Sequence, residues 1–279
     1  MTEYENRPVP EGINYSRENP LKEFLLLCAA LLGALAVLLF SLSLAAQKLA
    51  PLIPFSMENR LVAQFASSLP ARSETERAER IDDYLNQLAA ALLAQRELPE
   101  GLELKLYYSD SPMINAFATL GGRVYVMNGL LREMDSENAL AMVVAHELAH
   151  ILNRDPIVAM GRGVTVSLAL ASLSGLGNTG AADWLIQQLG MATISGFTRE
   201  QERAADAMAL EMLQAHYGNV QGAERIFALM DGQRAEPPEL FSTHPLSRKR
   251  IAVVREFARQ HPQHGDLVPL PNFMGEEVE

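Results

Sequence analysis

Residues 143–155 read VVAHELAHILNRD, and this short stretch sets the first expectation about the fold. His146 and His150 are four residues apart, so on a helix their side chains project from one face, one turn apart. Glu147 follows the first histidine and borders the same face. Two imidazoles can bind zinc, and a neighbouring carboxylate can take a proton from a metal-bound water. This is the H-E-x-x-H pattern of zinc peptidases, which also arises by chance in unrelated chains.

The residues around this motif predict a largely buried helix. Its apolar positions are Val143, Val144, Leu148, Ile151 and Leu152. Two histidines and a glutamate that are buried without a binding partner would carry a desolvation cost, and this favours a metal site. The alternative is an ordinary amphipathic helix whose polar face happens to contain these residues.

A catalytic zinc ion usually keeps three protein ligands and one open position, so a third ligand is expected elsewhere in the chain. The helical stretch 197–210 places Glu202 and Asp206 four residues apart on one face. We predict Glu202 as the third ligand. Asp206 can then accept a hydrogen bond from the far nitrogen of a ligand histidine. The alternative for this pair is a salt-bridged surface helix, because Arg199 and Arg203 are near.

Several segments together resemble the M48 family of zinc metallopeptidases. In chain order they are NAFA at 115–118 with GGRVYV at 121–126, HELAH at 146–150, REQERAAD at 199–206 and STHPLSRKR at 242–250. The resemblance implies an α+β fold, namely a mainly helical zinc peptidase domain of gluzincin type with a small β-sheet. It also implies one zinc ion per chain, bound by His146, His150 and Glu202, with Glu147 as the general base.

The resemblance further assigns a substrate-binding strand. The strand after the double glycine is similar to the edge strand of the family, which can pair with an extended substrate. The substrate-binding residues implied in this way are Asn115, Gly121, Gly122, Arg123 and Val124. Many relatives have proline before the double glycine, where this chain has Leu120.

His244 and Arg250 match the H-P-x4-R motif of the family, whose side chains face the metal. Either residue could donate to a developing oxyanion. Alternatively, His244 could block the open zinc position until substrate arrives. Without the resemblance, His244 would be interpreted as a loop histidine and Arg250 as part of a solvated basic helix.

Residues 24–46 contain no charge and are long enough to cross a bilayer as a helix. A cleaved signal peptide is the competing interpretation, but the preceding 23 residues carry five acids, unlike a short basic n-region. A buried core helix is less favoured because the run is apolar on all sides. Three basic residues before the run against two after it favour an N-terminus inside. The expected location is the bacterial inner membrane, with the main domain outside the cytoplasm.

We divide the chain into five segments. They are an N-terminal tail (1–23), a transmembrane anchor (24–46), a juxtamembrane linker (47–70), the metallopeptidase domain (71–262) and an acidic C-terminal tail (263–279). In the domain, Ser73 and Glu76 predict a capped helix reaching about Glu97. Strands are predicted at 102–108 and 123–128, and Asp135 or Ser136 as the cap of the motif helix.

The stretch 163–182 carries no charge over 20 positions, which is long enough to suggest a second span. His150 and Glu202 must meet at one ion, so the chain between them crosses the membrane an even number of times. No second apolar run of sufficient length lies between them. We therefore predict no crossing, and either a helical hairpin over the active site or plain core packing.

Charge and cysteine content exclude other classes of protein. The formal net charge of −11 argues against broad nucleic-acid binding. The single cysteine, Cys28, excludes a disulfide framework within the chain and a cysteine-rich metal site. The sequence predicts a membrane-anchored zinc endopeptidase acting on protein or peptide substrates in membrane or envelope quality control. The alternatives are a zinc-containing, chaperone-like binding protein and a zinc hydrolase acting on a non-peptide bond.

Overall fold

The computed structural model describes residues 19–63, 69–70, 72–163, 196–227, 240, 244 and 248–275. The helices in these ranges are α1 (Pro20–Leu49), α2 (Phe55–Val62), α3 (Glu76–Leu92), α4 (Asn128–Leu131), α5 (Glu137–Leu152), α6 (Arg199–Tyr217) and α7 (Arg248–Gln260). The strands are β1 (Lys105–Ser109), β2 (Ala116–Thr119) and β3 (Arg123–Met127). Residues 155–163 are also helical. A mostly helical architecture with a small sheet confirms the predicted α+β fold class.

Helix α1 contains the apolar segment 24–46, and none of its residues is buried. Among the described residues it is the one helix long and apolar enough to cross a membrane. The chain divides into two compact units, residues 1–42 and 43–279, so most of α1 belongs to the first. The predictions for the stretch 163–182 lie, apart from Gly163, outside the described residues.

The described residues of the juxtamembrane segment 47–70 are mostly helical. Pro51 and Pro54 end α1 and separate a short 3₁₀ turn from α2, because proline cannot continue the helical hydrogen-bond ladder. Helix α2 buries Phe55, Glu58 and Val62. Val62 joins a small second core with Leu120 and with Ile157, Val158 and Met160 of the helical residues 155–163.

Helix α3 begins two residues later than the capping pattern predicts. Thr75 is its N-cap, and the Thr75 hydroxyl accepts a hydrogen bond from the Ala78 N–H, which is the usual cap geometry. The helix ends at Leu92 rather than near Glu97. The predicted apolar stripe of α3 is buried at Ile81, Leu85, Leu88 and Leu92.

The three strands form one sheet with the order β1-β3-β2, in which β1 is parallel and β2 antiparallel to β3. The prediction that the strand beginning at Arg123 is the edge strand is wrong, because β3 is paired on both sides. The outer edge of β1 is covered by α3, since Asn86 bonds both the N–H and the carbonyl of Leu106. Within the described part of the chain, the edge of β2 that faces away from β3 pairs with no other strand, and we call it the free edge; β2 is a strand that the sequence did not predict separately.

The register of β2 shows which backbone groups face outward. The Met127 N–H donates to the Asn115 carbonyl, so the 115/127 pair is hydrogen-bonded. Hydrogen-bonded and non-hydrogen-bonded pairs alternate in an antiparallel ladder. The backbone N–H and carbonyl groups of Ala116 and Ala118 therefore point away from β3.

Helix α5 forms the centre of the domain and packs against α3, α6 and β2. Ser136, one of the two predicted caps, accepts a hydrogen bond from the Ala139 N–H. Of its 16 residues, 14 are buried, and they surround the helix on all sides. This excludes an amphipathic surface helix for the stretch quoted first.

The C-terminal residues 262–275 lie on the domain in an extended course. Glu137 donates its N–H to the Val268 carbonyl at 2.7 Å, and Arg77 donates to the carbonyls of Phe273 and Met274 at 3.0 Å. The described part of the predicted acidic tail therefore contributes to the packing around α5.

Candidate metal centre

Four buried side chains bring ligand atoms to one point. His146, His150, Glu202 and His244 each offer a donor atom, and these atoms lie within 4.8 Å of one another. The two histidines come from α5 and Glu202 from the first turn of α6, whose capping box is formed by Thr198 and Gln201. The structure thus places the three predicted zinc ligands together, with His244 as a fourth donor.

The distances between these donors fit a zinc ion. The Nε2 atoms of His146 and His150 are 3.1 Å apart, and each lies 3.5 Å from an oxygen of Glu202. In a tetrahedral site with zinc–ligand distances of about 2.0–2.1 Å, two ligand atoms are separated by roughly 3.3 Å. Two imidazoles and one carboxylate are also a donor set typical of catalytic zinc.

The charges of the cluster favour a cation. Burial opposes protonation of His146, but hydrogen bonds and charge from Asp206 and Glu202 outweigh it and raise the pKa of His146 to about 10. Burial likewise opposes ionisation of Glu202, yet hydrogen bonds from His146, His150 and His244 lower its pKa far below the ordinary value. The two carboxylates thus carry negative charge beside the donor atoms, which favours a cation there in addition to the charge of Arg250.

Asp206 lies beside His146, on the side away from the other donor atoms. Its Oδ1 atom lies 3.1 Å from Nδ1 of His146, while the Nε2 atom of the histidine faces the other donors. Burial alone would raise the pKa of Asp206, but His146 and Arg250 lower it to about 2. A carboxylate in this position orients the imidazole and increases its basicity towards a metal.

Arg250 is held by two carboxylates. Its Nε and Nη2 atoms donate to the two oxygens of Asp206 at 2.6 and 2.7 Å. Its Nη1 atom lies 2.7 Å from Oε2 of Glu202. This fork-like arrangement favours positioning of the metal-binding carboxylates over the predicted donation to an oxyanion.

Asp155 is a functional residue that the sequence reasoning missed. Its Oδ2 atom lies 2.8 Å from Nδ1 of His150, and Gln201 donates to its other oxygen at 2.6 Å. Asp155 stands in the stretch quoted first, five residues after His150, but a continuous helix would turn it away from that histidine. Helix α5 ends at Leu152, and the turn that follows returns Asp155 to His150. Phe197, also missed, stacks on the His150 ring at 3.9 Å between centroids.

Glu147 lies between the metal ligands and β2. It is fully buried, and its Oε2 atom accepts a hydrogen bond of 2.7 Å from the outward-facing N–H of Ala118. Its other oxygen is 3.4 Å from Nε2 of His244. Burial raises the pKa of Glu147 above that of an ordinary carboxyl, which suits a group that must take up a proton.

His244 occupies the position that a fourth ligand would take. Its Nδ1 atom is 2.9 Å from Oε1 of Glu202 and 3.2 Å from Nε2 of His146. Burial lowers the pKa of the His244 ring, which favours the neutral form that binds metals.

The predicted substrate-binding residues lie near β2 but do not form its free edge. Gly121 and Gly122 have φ angles of 69° and 73° and make the turn from β2 to β3. Val124 is in the core, and Arg123 donates to the Asn59 side chain at 2.9 Å. Asn115 is buried directly before β2.

Comparison with known proteins gives a family match over most of the domain. The profile of peptidase family M48 matches residues 75–258. The beta-barrel assembly-enhancing protease of Yersinia pestis is 30% identical over 200 residues, covering 66% of this chain and 40% of the relative. The protein of that name from Escherichia coli (strain K12) is 29% identical, covering 64% and 39%. The mitochondrial metalloendopeptidase OMA1 of Schizosaccharomyces pombe is 30% identical, covering 62% and 52%. The chain spans about two fifths to one half of the length of these relatives.

Proposed function

This chain belongs to peptidase family M48, and we propose that it is a membrane-anchored zinc endopeptidase. Its substrates would be misfolded or unassembled proteins of the membrane or envelope. The observation that carries the proposal is the buried donor set of His146, His150 and Glu202, with Glu147 between these ligands and the free edge of β2. The printed names of two relatives, an assembly-enhancing protease and a metalloendopeptidase, support the same activity.

In the proposed reaction, Glu147 acts as the general base. When bound, zinc would polarise the scissile carbonyl and lower the pKa of its bound water. Glu147 takes the proton from the attacking water and delivers it to the leaving amine. The Ala118 N–H holds the Glu147 carboxylate in place at 2.7 Å, and the surrounding burial excludes bulk water.

The free edge of β2 favours a peptide substrate over other hydrolysable compounds. The outward N–H and carbonyl of Ala116 and the outward carbonyl of Ala118 can pair with an extended peptide as a further strand, while the Ala118 N–H is bonded to Glu147. Such a strand would run directly past Glu147. A zinc hydrolase acting on a non-peptide bond would have no use for this edge.

We assign His244 to the resting state of the site. Its Nδ1 atom lies among the zinc ligands, so it can occupy the fourth position until substrate displaces it. His244→Ala would then raise the basal cleavage rate several-fold. If His244 instead stabilises the oxyanion, the same variant would lower kcat about 100-fold. The initial rate on an unfolded protein substrate distinguishes the two roles by sign.

Helix α1 supports a single-pass anchor that holds the site close to the bilayer. The excess of basic residues before the apolar run favours an N-terminus inside, with the catalytic domain outside the cytoplasm of a bacterial cell. A cysteine-labelling assay on single-cysteine variants either side of α1 would test this orientation.

The second candidate function is a zinc-containing, chaperone-like binding protein. The free edge of β2 could bind extended chains without cutting them. The presence of Glu147 at the metal cluster favours the peptidase, because binding alone requires no buried general base.

The deciding experiment compares the full chain in detergent with its Glu147→Gln variant. We expect about one zinc ion per chain in both proteins, and cleavage of an unfolded protein such as casein by the parent alone. Zinc in both with cleavage by neither, including in the His244→Ala variant, would favour the binding protein. No zinc in either would contradict the proposal.

A further inference from the structure

One carboxylate in the juxtamembrane helix holds two turns of the catalytic domain. Glu58 in α2 is only 3% exposed. Its Oε2 atom accepts a hydrogen bond of 2.7 Å from the Gly121 N–H, in the turn that follows β2. Its Oε1 atom lies 2.7 Å from Nη2 of Arg154, in the turn that follows α5.

Arg154 adopts a backbone conformation that needs outside support. Its φ angle is 64°, and no other non-glycine residue in the described part of the chain has a positive φ. A left-handed conformation is unfavourable for a residue with a Cβ atom and persists only where its surroundings enforce it. The Arg154 carbonyl also accepts a hydrogen bond from the Val158 N–H, which is the first hydrogen bond of the helical residues 155–163.

The support for Arg154 comes from the segment between α1 and the end of α2. Besides the ion pair with Glu58, its guanidinium donates to the Ile53 carbonyl and lies 3.7 Å above the Phe55 ring. Within the described residues, Nε and Nη1 of Arg154 have no hydrogen-bond partner. The partly buried charge of this side chain therefore depends on Glu58 and its neighbours.

The left-handed turn at Arg154 also positions His150, one of the predicted metal ligands. The next residue, Asp155, reaches Nδ1 of His150 at 2.8 Å only because the chain reverses at Arg154. A chain of direct contacts thus runs from Glu58 through Arg154 and Asp155 to His150. The other oxygen of Glu58 fixes the turn at the end of β2, the strand whose N–H holds Glu147.

We propose that α2 supports the metal centre. Glu58 and Arg154 are positioning residues, for His150 and for the end of β2. This inference deepens the proposed function and rests on it. Residues 53–59 precede the family match, which begins at residue 75, so this support is a feature of the chain beyond the matched domain. The end of α1 packs nearby, since a Cβ atom on Gly161 would lie 3.2 Å from that of Ala46.

The test measures zinc release from the full chain in detergent. The Glu58→Gln variant removes the charge opposite Arg154 but keeps an oxygen that can accept from the Gly121 N–H. We expect zinc to pass to a chromogenic chelator about tenfold faster than from the parent, as for the loss of a residue that orients a ligand histidine. The KM for an extended peptide should stay within twofold, whereas Glu58→Ala, which also loses the Gly121 bond, should raise KM several-fold.

A second variant tests the pathway through Arg154. Arg154→Gln should accelerate zinc release about tenfold, and the double variant Glu58→Gln/Arg154→Gln should release zinc no faster than the single variants, because both act through one contact. The control is Glu79→Gln, an exposed glutamate on α3, which should match the parent. The release rate of bound zinc does not depend on the yield of folded protein, so partial misfolding cannot imitate the result.

Equal zinc release from the parent and from Glu58→Gln would overturn the inference, and so would effects that multiply in the double variant. A parent that retains zinc without cleaving protein would contradict the proposed peptidase function alone, because zinc release reports on Glu58 independently of catalysis. A parent that binds no zinc would overturn both.

Discussion

Helices α1 and α5 both carry apolar residues on every face, yet their surroundings are opposite. None of the residues of α1 is buried, whereas 14 of the 16 residues of α5 are. The run 24–46 in α1 contains no charge, while α5 contains His146, Glu147 and His150. Apolar residues on every face therefore do not determine whether protein or lipid covers a helix. Buried ionisable groups are tolerated in α5 because α6 and β2 supply their partners.

The largest expected effect comes from the ionisable residues that distinguish α5. Glu147→Gln removes the general base while preserving the shape of the side chain, so the rate of cleavage should fall by a factor of about 10²–10⁴. The free energy of unfolding should stay equal or increase, because burial disfavours the charged carboxylate. Urea unfolding and cleavage are measured on the same preparation. Full activity in this variant would show that α5 carries no catalytic base.

A matched pair of leucines compares what covers each helix. Leu148 in α5 has no exposed surface, so Leu148→Ala should lower the free energy of unfolding of the catalytic domain by about 2–5 kcal/mol. Leu32 in α1 is 60% exposed, so Leu32→Ala should leave that value unchanged. Chemical denaturation in detergent, followed by circular dichroism, measures both. Equal losses would contradict the difference between the two helices.

Introducing a charge tests the environment of α1 directly. Leu35→Asp lies near the middle of the apolar run, where an aspartate should cost about 2.5–3.5 kcal/mol of membrane insertion. The fraction of protein that sediments with carbonate-washed membranes should decrease. The control is Leu98→Asp, at a site in the catalytic domain that is 46% exposed. Unchanged membrane association of Leu35→Asp would contradict a lipid-covered α1.

The smallest expected effect concerns alkaline pH. The hydroxyls of Tyr84 and Tyr217 both donate to Glu137 in the first turn of α5. Burial, and then the Glu137 carboxylate, raise the pKa of both tyrosines above the usual value near 10. Their contribution to stability is therefore fully present below pH 10 and is lost as the pH rises through the higher, folded-state pKa.

The ultraviolet absorbance of tyrosinate should show these two residues titrating only as the catalytic domain unfolds. Tyr217→Phe should lower the free energy of unfolding by about 1.5 kcal/mol at neutral pH. Helix α1 contains no tyrosine, so its helical signal should persist through this transition. Titration of all tyrosines near pH 10 with the domain intact would contradict the prediction.

Residues that lie within one helix were the easiest to predict. The spacing of His146, Glu147 and His150 determines their common face whatever surrounds them. The same periodicity paired Glu202 with Asp206, and the structure brings both to the histidines. Placing the two pairs at one ion required the assumption that a zinc ion needs a third ligand, because helical spacing contains no information about a second helix.

The failures lie at turns and at strand pairing. The family resemblance implied that β3 is the edge strand, and the alternating residues of β3 could not correct this, because they do not reveal which neighbours a strand pairs with. Sequence reasoning missed the role of Asp155, which depends on the left-handed conformation of Arg154. It treated α2 as part of a linker, since two prolines signal a break without showing what the following residues pack against.

The sequence by itself determined the apolar helix at the N-terminus, the ligand face of α5 and the acidic face of α6, because each follows from the period of one continuous element. Only the tertiary structure decided which strand offers a free edge, how Asp155 reaches His150 and why Glu58 is buried. The contacts that position Glu58 and Arg154 join residues that lie 63 and 101 positions apart in the chain. Their contacts arise from packing and chain reversal, which no local pattern encodes.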